Sequence, residues 1–421
     1  LMSDVRPYVD SALEYTRTQE EKGLLMLDLD SVISYCEGIV ESGEDSAVLQ
    51  AMNDSIAALE LGEEKTAQYQ EQLRTAFSDS FLSAYQDILD TMRELQSSGE
   101  NNEQGLAQFE YGKEYYALLL QQSIGSNKTP EEVKSMMEEA FNEHLQQLQM
   151  YAMAYPEETE QVLSQDLPKT GYTSYDEILQ DLQGKIFDSF PQVEDLSYQI
   201  EDVNEEIASD SGVAAYFNIP SLDGDTVKQL RVNPNNAGVD SIDTFSTVAH
   251  EGFPGHMYQY AYMYENIDSN FIKALANVGA YTEGFAVYAQ YESLQYLEGI
   301  SQELLDVYRE YELLTYCLVI AADIGIHYEG WSLQEFEDYF TEMGLSIGSG
   351  DALYQQLQAN PAVFETYYVG YHEIMDLREK AEDALGNAFD EKAFNEALLE
   401  SGTAPFSVVE RHIDAYIESA S

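Results

Sequence analysis

Basic residues are scarce in this chain, and that scarcity removes whole classes of partner. Nineteen Lys and Arg stand against 78 Asp and Glu, for a formal net charge of -59. A surface of that sign repels phosphate backbones and anionic lipid headgroups, which excludes nucleic acid and acidic membranes as partners. Cysteine is scarcer still. Cys36 and Cys317 are the only two, too few for a disulfide scaffold or a cysteine-rich zinc site, and they are expected to be structural thiols. No apolar run approaches the ~18 residues of a membrane-spanning helix, no signal peptide is visible, and no repeat or low-complexity linker divides the chain. Cys clusters, phosphate-binding loops and Gly-x-Ser-x-Gly elbows are missing. With only six His (His144, His250, His256, His327, His372 and His412), and none preceded by Glu at the third position before it, a ferritin-like di-iron site is excluded as well.

What remains is a chain well able to fold. Of its 421 residues 44% are hydrophobic and 12% aromatic, with 32 Tyr, so the acidity reads as a strongly solvated surface rather than disorder. It suits an extracellular or salty environment. Residues 1–170 read as a lobe of successive amphipathic helices, with apolar residues recurring at three and four, as in Leu24, Leu27, Val32, Ile33 and Cys36. Thr129-Pro130-Glu131-Glu132 is a helix start, with Thr as cap and acids in the first turn. Thr173 or Ser174 starts another. Residues 171–421 form a second lobe. Within it, about 195–235 changes character: Leu196–Ile200, Ala214–Ile219 and Gln229–Asn233 read as short strands, with a turn over Pro220–Gly224 between the last two. The fold class is therefore mainly α, with a small β-sheet just before the helix that begins near Thr244.

That helix carries the most informative residues, His250-Glu251-Gly252-Phe253-Pro254-Gly255-His256, followed by Glu283 one helix later. Two imidazoles and two carboxylates are the ligand set and general base of a zinc hydrolase that cuts an amide: His250, His256 and Glu283 to hold the metal, a fourth position for water, and Glu251 to take a proton. The usual spacing of two such His is four; here it is six. At ~100° per residue, six steps leave the rings roughly 240° apart on a regular helix. Pro254 and Gly255 are poor helix residues, so the helix is expected to break after Glu251 and restart near His256. The alternative is two unrelated His flanking a Pro-Gly turn. His144 and His412 read as surface residues of charged helices. His327 is either a core-edge residue bonded to a carbonyl, or a transition-state donor or substitute ligand. Tyr367 and Tyr371 are either core aromatics, or one of them supplies a hydroxyl to a tetrahedral oxyanion.

These residues resemble a family. Thr247–His256 with Gln259 resembles the signature of the DUF885 family of bacterial proteins. Glu283–Ala289 resembles its second block, where Trp and Leu are more usual than Phe285 and Val287. Asp323–Trp331 resembles a third block. Tyr367–Tyr371, Leu377–Glu382 and Leu385-Gly386 resemble the C-terminal block, and Tyr216, Pro220, Asp223-Gly224 and Asn233 match the segment before the metal helix. The match covers about 170–420 and is looser before that. It departs at Asn395, where a His is usual, and at Thr315–Ala322, where a usual Arg is missing.

The resemblance implies a zincin-like helical metallopeptidase, extracellular or cell-surface, with Zn2+ as cofactor, a peptide as substrate, and Tyr216 and Asn233 as substrate contacts. It strengthens the catalytic reading of His327. Family chains usually extend further at the N-terminus and are sometimes lipid-anchored. This chain is accordingly expected to be a fragment of a longer precursor, any anchor lying ahead of residue 1. A non-catalytic peptide- or solute-binding protein and a metal-dependent hydrolase of another amide or ester are the competing functions.

Overall fold

The computed structural model describes residues 2–203, 214–222, 227–236, 238–345 and 350–420. Five helices come first: α1 (Val5–Glu21), α2 (Leu29–Ser42), α3 (Ala47–Ala58), α4 (Glu63–Ala76) and α5 (Ser83–Ser98). Two small apolar clusters serve them, one of Leu25, Leu29, Met92 and Leu95, the other of Leu49, Leu73 and Phe77. A single large core then runs from Leu106 to Tyr416. Helices α6 (Gly112–Ile124), α7 (Pro130–Ala154), α8 (Pro156–Leu163) and α9 (Tyr175–Lys185) all contribute to it, through Leu120, Val133, Val162 and Leu179 among others. The start of α7 is legible in sequence. Thr129 caps the Glu132 amide while Glu132 bonds back to Thr129, and Pro130 occupies the first turn, a reciprocal capping box. Ser174, rather than Thr173, caps α9.

Strands β1 (Tyr198–Asp202), β2 (Ala215–Asn218) and β3 (Lys228–Val232) form one sheet in the order β1-β3-β2. β1 runs parallel to β3, with Tyr198 opposite Lys228, and β2 runs antiparallel to it, with Phe217 opposite Leu230. Among the described residues β2 is thus an edge strand. Its alternation is clean: Ala215 and Phe217 are buried, Tyr216 and Asn218 exposed. Pro220 follows β2 as expected, while Asp223 and Gly224 lie outside the described residues.

Helices make up the rest: α10 (Ile242–Glu251), α11 (His256–Asn266), α12 (Asn270–Leu275), α13 (Gly279–Glu292), α14 (Gln302–Ile324) with a π-helical turn over Gly325–Glu329, α15 (Leu333–Glu342), α16 (Asp351–Ala359), α17 (Glu365–Leu385), α18 (Glu391–Leu399) and α19 (Phe406–Ala420). Among the described residues no helix is long and apolar enough to cross a membrane. Both cysteines are buried and unpaired.

The contact between α13 and α17 is the most extensive between any two described elements, and two glycines make it so close. A Cβ on Gly370 would sit 1.7 Å from the Ala280 carbonyl oxygen, and one on Gly284 would sit 2.5 Å from the Gly370 Cα. Arg378 reinforces the pair. It donates to the Tyr288 hydroxyl at 2.8 Å and lies 3.3 Å from Glu292 on α13.

This crossing yields a prediction. Gly370→Ala should destabilise the chain by about 2 kcal/mol or more, because backbone rather than a flexible side chain must give way. Gly38→Ala, in α2 with nothing within 4 Å of the new Cβ, should instead stabilise by about 0.5–1 kcal/mol. Urea midpoints of the two variants check this; equal effects would show that the glycine contact does not set the crossing.

Candidate metal centre

α10 stops one residue after His250, and the chain makes an irregular turn through Gly252–Gly255 before α11 opens at His256. The break expected from the Pro-Gly pair is therefore present, and Phe253–Pro254 is cis. Within the turn the Gly252 amide still bonds Val248 O at 2.8 Å, whereas the Gly255 amide reaches back six residues to Ala249 O at 2.9 Å. Gly255 tolerates no side chain: a Cβ would lie 1.8 Å from the His250 carbonyl oxygen. The turn thus folds α11 back against the end of α10. The two imidazoles, which a continuous helix would point apart, meet at right angles with ring centroids 4.8 Å apart.

Glu283 on α13 completes the group. Its Oε2 lies 3.3 Å from His250 Nε2 and 3.4 Å from His256 Nε2. These separations are long for charge-assisted hydrogen bonds. They equal the edges of a zinc tetrahedron, since two ligand atoms each about 2.0–2.2 Å from the metal lie roughly 3.3–3.6 Å apart. Both imidazoles are buried, while the Glu283 side chain is 26% exposed, so the group is open on one side. Glu251 also comes near, since its carboxylate and the two imidazoles have ligand atoms all within 4.8 Å of one another. Glu283 is the better third ligand. It sits at edge distance from both nitrogens, whereas Glu251 Oε2 accepts the Phe217 amide of β2 at 2.8 Å.

Without a metal the three side chains hold one another as a His–carboxylate cluster. Burial opposes ionisation of Glu283, but hydrogen bonds from His250 and His256, and their charge, prevail and hold its carboxyl well below the usual range. Burial would lower the pKa of His256; the hydrogen bond and charge of Glu283, helped by Glu251, raise it instead. Behind His250, Gln290 Oε1 accepts from Nδ1 at 3.2 Å. In the neutral ring that contact places the proton on Nδ1 and leaves Nε2 free to bind. The Gln259 side chain lies against His256 and helps to raise its pKa. Gln290 escaped the sequence reading, yet it stands seven residues, two helical turns, after Glu283 and so on the same face of α13.

The other expected site residues divide. Tyr367 is here: its ring stacks on His250 at 6.0 Å and on Tyr316 at 6.1 Å, and burial with the charges of Glu283 and Glu251 raises its pKa, so the hydroxyl keeps its proton. Tyr371, one turn on, is buried against Tyr291 and Tyr368. His327 lies apart. Its Nε2 donates to Leu357 O at 3.0 Å and its Nδ1 accepts the Leu106 amide at 3.2 Å. Burial pulls its pKa down to about 4. A neutral ring with both nitrogens engaged is the core-edge arrangement, not that of a ligand or oxyanion donor. Tyr216 projects from the exposed face of β2. Asn233 Oδ1 accepts the Asn235 amide in the turn after β3. Asn395 is a buried core residue between Tyr288 and Ser189. His144, expected on the surface, is half-buried between Glu310 at 2.7 Å and the Tyr368 hydroxyl at 2.6 Å.

The profile of the DUF885 family, described as "Bacterial protein of unknown function", matches residues 1–413, so the family likeness extends through the N-terminal helices as well. Curated proteins show no significant match. Two solved structures share the fold. A candidate lipoprotein from Colwellia psychrerythraea superposes with a TM-score of 0.85 at 20% identity, over 99% of this chain and 75% of that one. A candidate lipoprotein of unknown function from Shewanella oneidensis gives 0.60 at 17% identity, over 90% and 72% respectively.

The geometry predicts how the site holds a metal. Gln290→Ala should weaken zinc affinity ~10–100-fold without unfolding the chain, because His250 loses the group that orients it; unchanged affinity in a chelator competition would remove Gln290 from the site. In the metal-free chain, the His256–Glu283 interaction should stabilise between the ordinary carboxylate range and the raised His256 pKa. It should fade as pH rises from the ordinary histidine value through the raised His256 pKa, and as pH falls from the ordinary carboxylate range toward the depressed Glu283 value. With zinc present, stability should rise through the same upper window instead, since zinc needs neutral imidazoles. Thermal melts across pH with and without zinc read out the opposite slopes.

Proposed function

The chain belongs to the DUF885 family, and from its site we propose that it is a zinc-dependent metallopeptidase. One observation carries the reading: Glu283 Oε2 stands at tetrahedral edge distance from the Nε2 atoms of both His250 and His256. Those three residues would hold the ion, with Gln290 orienting His250. A bound zinc would supply Lewis-acid polarisation of a carbonyl and lower the pKa of water. Everything else is the work of this chain's own side chains and backbone.

Glu251 is the proposed general base. It ends α10 beside both imidazoles, and the Phe217 amide fixes its Oε2, leaving Oε1 to take a proton and pass it to the leaving amine. Tyr367, protonated and stacked on His250, is the proposed oxyanion donor in preference to Tyr371; His327 is left a structural role. The same Phe217 contact orients the sheet. In an antiparallel pair the residues alternate between bonding inward and outward, so the free edge of β2 faces Glu251. An extended peptide laid along that edge would add a strand and carry a carbonyl past the base. This edge favours a peptide over another amide or ester. The acidic surface and the two candidate-lipoprotein structural relatives support an extracellular or cell-surface location.

Three variants test the roles. Glu251→Gln should retain zinc but lose ~10²–10⁴-fold in turnover of a peptide library. Tyr367→Phe should keep zinc and lose about 10²-fold or more. Glu283→Ala should lose the metal itself. Full peptide turnover by zinc-free protein would refute the proposal, as would retention of both zinc and activity by all three variants.

A further inference from the structure

Beside His250 and Glu251 opens a cavity of about 310 Å³, at the small end of the range for ligand pockets. One wall is α10, with Asp243, Ser246, Thr247, His250 and Glu251; the other is α14, with Tyr308, Glu312 and Tyr316; Gln290 and Tyr367 close the end. Tyr308, Glu312 and Tyr316 are spaced four apart, so they form one stripe of α14. The stripe is aromatic except at Glu312.

The three carboxylates of this cavity are not equivalent. Asp243 Oδ1 accepts the Tyr308 hydroxyl at 2.8 Å. Glu251 Oε2 accepts the Phe217 amide. Glu312 makes no hydrogen bond or ion pair among the described residues, and no Lys or Arg lines the cavity. A half-buried carboxylate that no protein group pairs carries a desolvation cost. Burial, with the charge of Asp243 adding, pushes Glu312 up to about 7, so a cation arriving there would draw it into the charged form. Tyr308 and Tyr316, one turn to either side of it on α14, line the same cavity, and aromatic side chains are compatible with a bound cation.

We propose that this cavity is the specificity pocket of the site, and that Glu312 receives a positively charged group of the substrate, either a Lys or Arg side chain or a free amino terminus. The inference rests on the metallopeptidase reading, because the cavity shares His250, Glu251 and Tyr367 with the proposed machinery. It makes the chain selective for cationic peptides. The two sources of the charge differ in consequence: a bound amino terminus would make the enzyme an aminopeptidase, a bound side chain an enzyme selective for basic residues.

The test uses the full chain, its zinc content measured, and a set of otherwise identical peptides. These carry Lys, Arg, norleucine or Glu at one varied position, each with a free or an acetylated amino terminus. Consumption is followed by mass spectrometry, and affinity for the same peptides by calorimetry. Cationic peptides should be preferred about 10-fold or more, the value of one charge-assisted hydrogen bond in a sheltered site. Glu312→Gln should bring that preference to within about twofold while zinc content stays the same. Acetylation that abolishes the preference assigns the pocket to the amino terminus; a Lys or Arg preference that survives acetylation assigns it to the side chain. Equal treatment of all peptides by zinc-replete protein overturns the inference, as does a preference that Glu312→Gln leaves intact. If no peptide is cut and no zinc is held, yet cationic peptides bind in a Glu312-dependent way, the metallopeptidase reading falls and the pocket stands.

Discussion

Two imidazoles six residues apart reach one carboxylate only because the helix carrying the first ends directly after it. Everything proposed for the site depends on that turn. Gly252 and Gly255 allow the backbone to fold back on its own carbonyls, and Gly255 passes so close to His250 O that no side chain fits. The usual four-residue spacing sets ligand geometry by helix periodicity; here a short irregular segment sets it. The same segment delivers Glu251, the last residue of α10, to the edge of β2, where one backbone amide holds it. The proposed ligands, the proposed base and the proposed substrate-aligning strand are thus linked through the His250–His256 segment.

The proposed third ligand comes from elsewhere, and its placement depends on a different constraint. Glu283 adjoins Gly284, the residue at which α13 meets α17. With no Cβ at Gly284 or Gly370 the two backbones come into contact, which brings Tyr367, one turn before Gly370, against His250. Glu283 and Tyr367 are therefore positioned by one helix crossing, and widening it would move the proposed ligand and the proposed oxyanion donor together. Arg378, tied to Tyr288 and Glu292, resists that widening from farther along the pair.

Much of this was legible in the sequence because it is local. The helix break follows from Pro254 and Gly255, the strands from short runs with a turn between the last two, and the helix starts from Thr129 and from Thr173 or Ser174. What escaped is what depends on distant partners. His327 sits in a segment that looks functional, but Leu106 and Leu357, far away in sequence, occupy both of its nitrogens. His144 looks like a surface residue of a charged helix until Glu310 and Tyr368 are seen to close over it. Gln290 and Glu312 carry no motif at all. Helical spacing alone marks them, and only once Glu283 and the Tyr308–Tyr316 stripe are known to face the same space. The glycine crossing was invisible because nothing in a single sequence pairs residue 284 with residue 370.

The central claim is that His250, His256 and Glu283 surround one zinc ion. X-ray absorption at the zinc edge, on protein loaded with one equivalent, tests it most directly. The account predicts a four-coordinate first shell of nitrogen and oxygen at about 2.0–2.2 Å with the outer-shell scattering of two imidazoles, reduced to one imidazole in His256→Ala. A first shell of six oxygens without imidazole scattering, or a spectrum unchanged in His256→Ala, would contradict it.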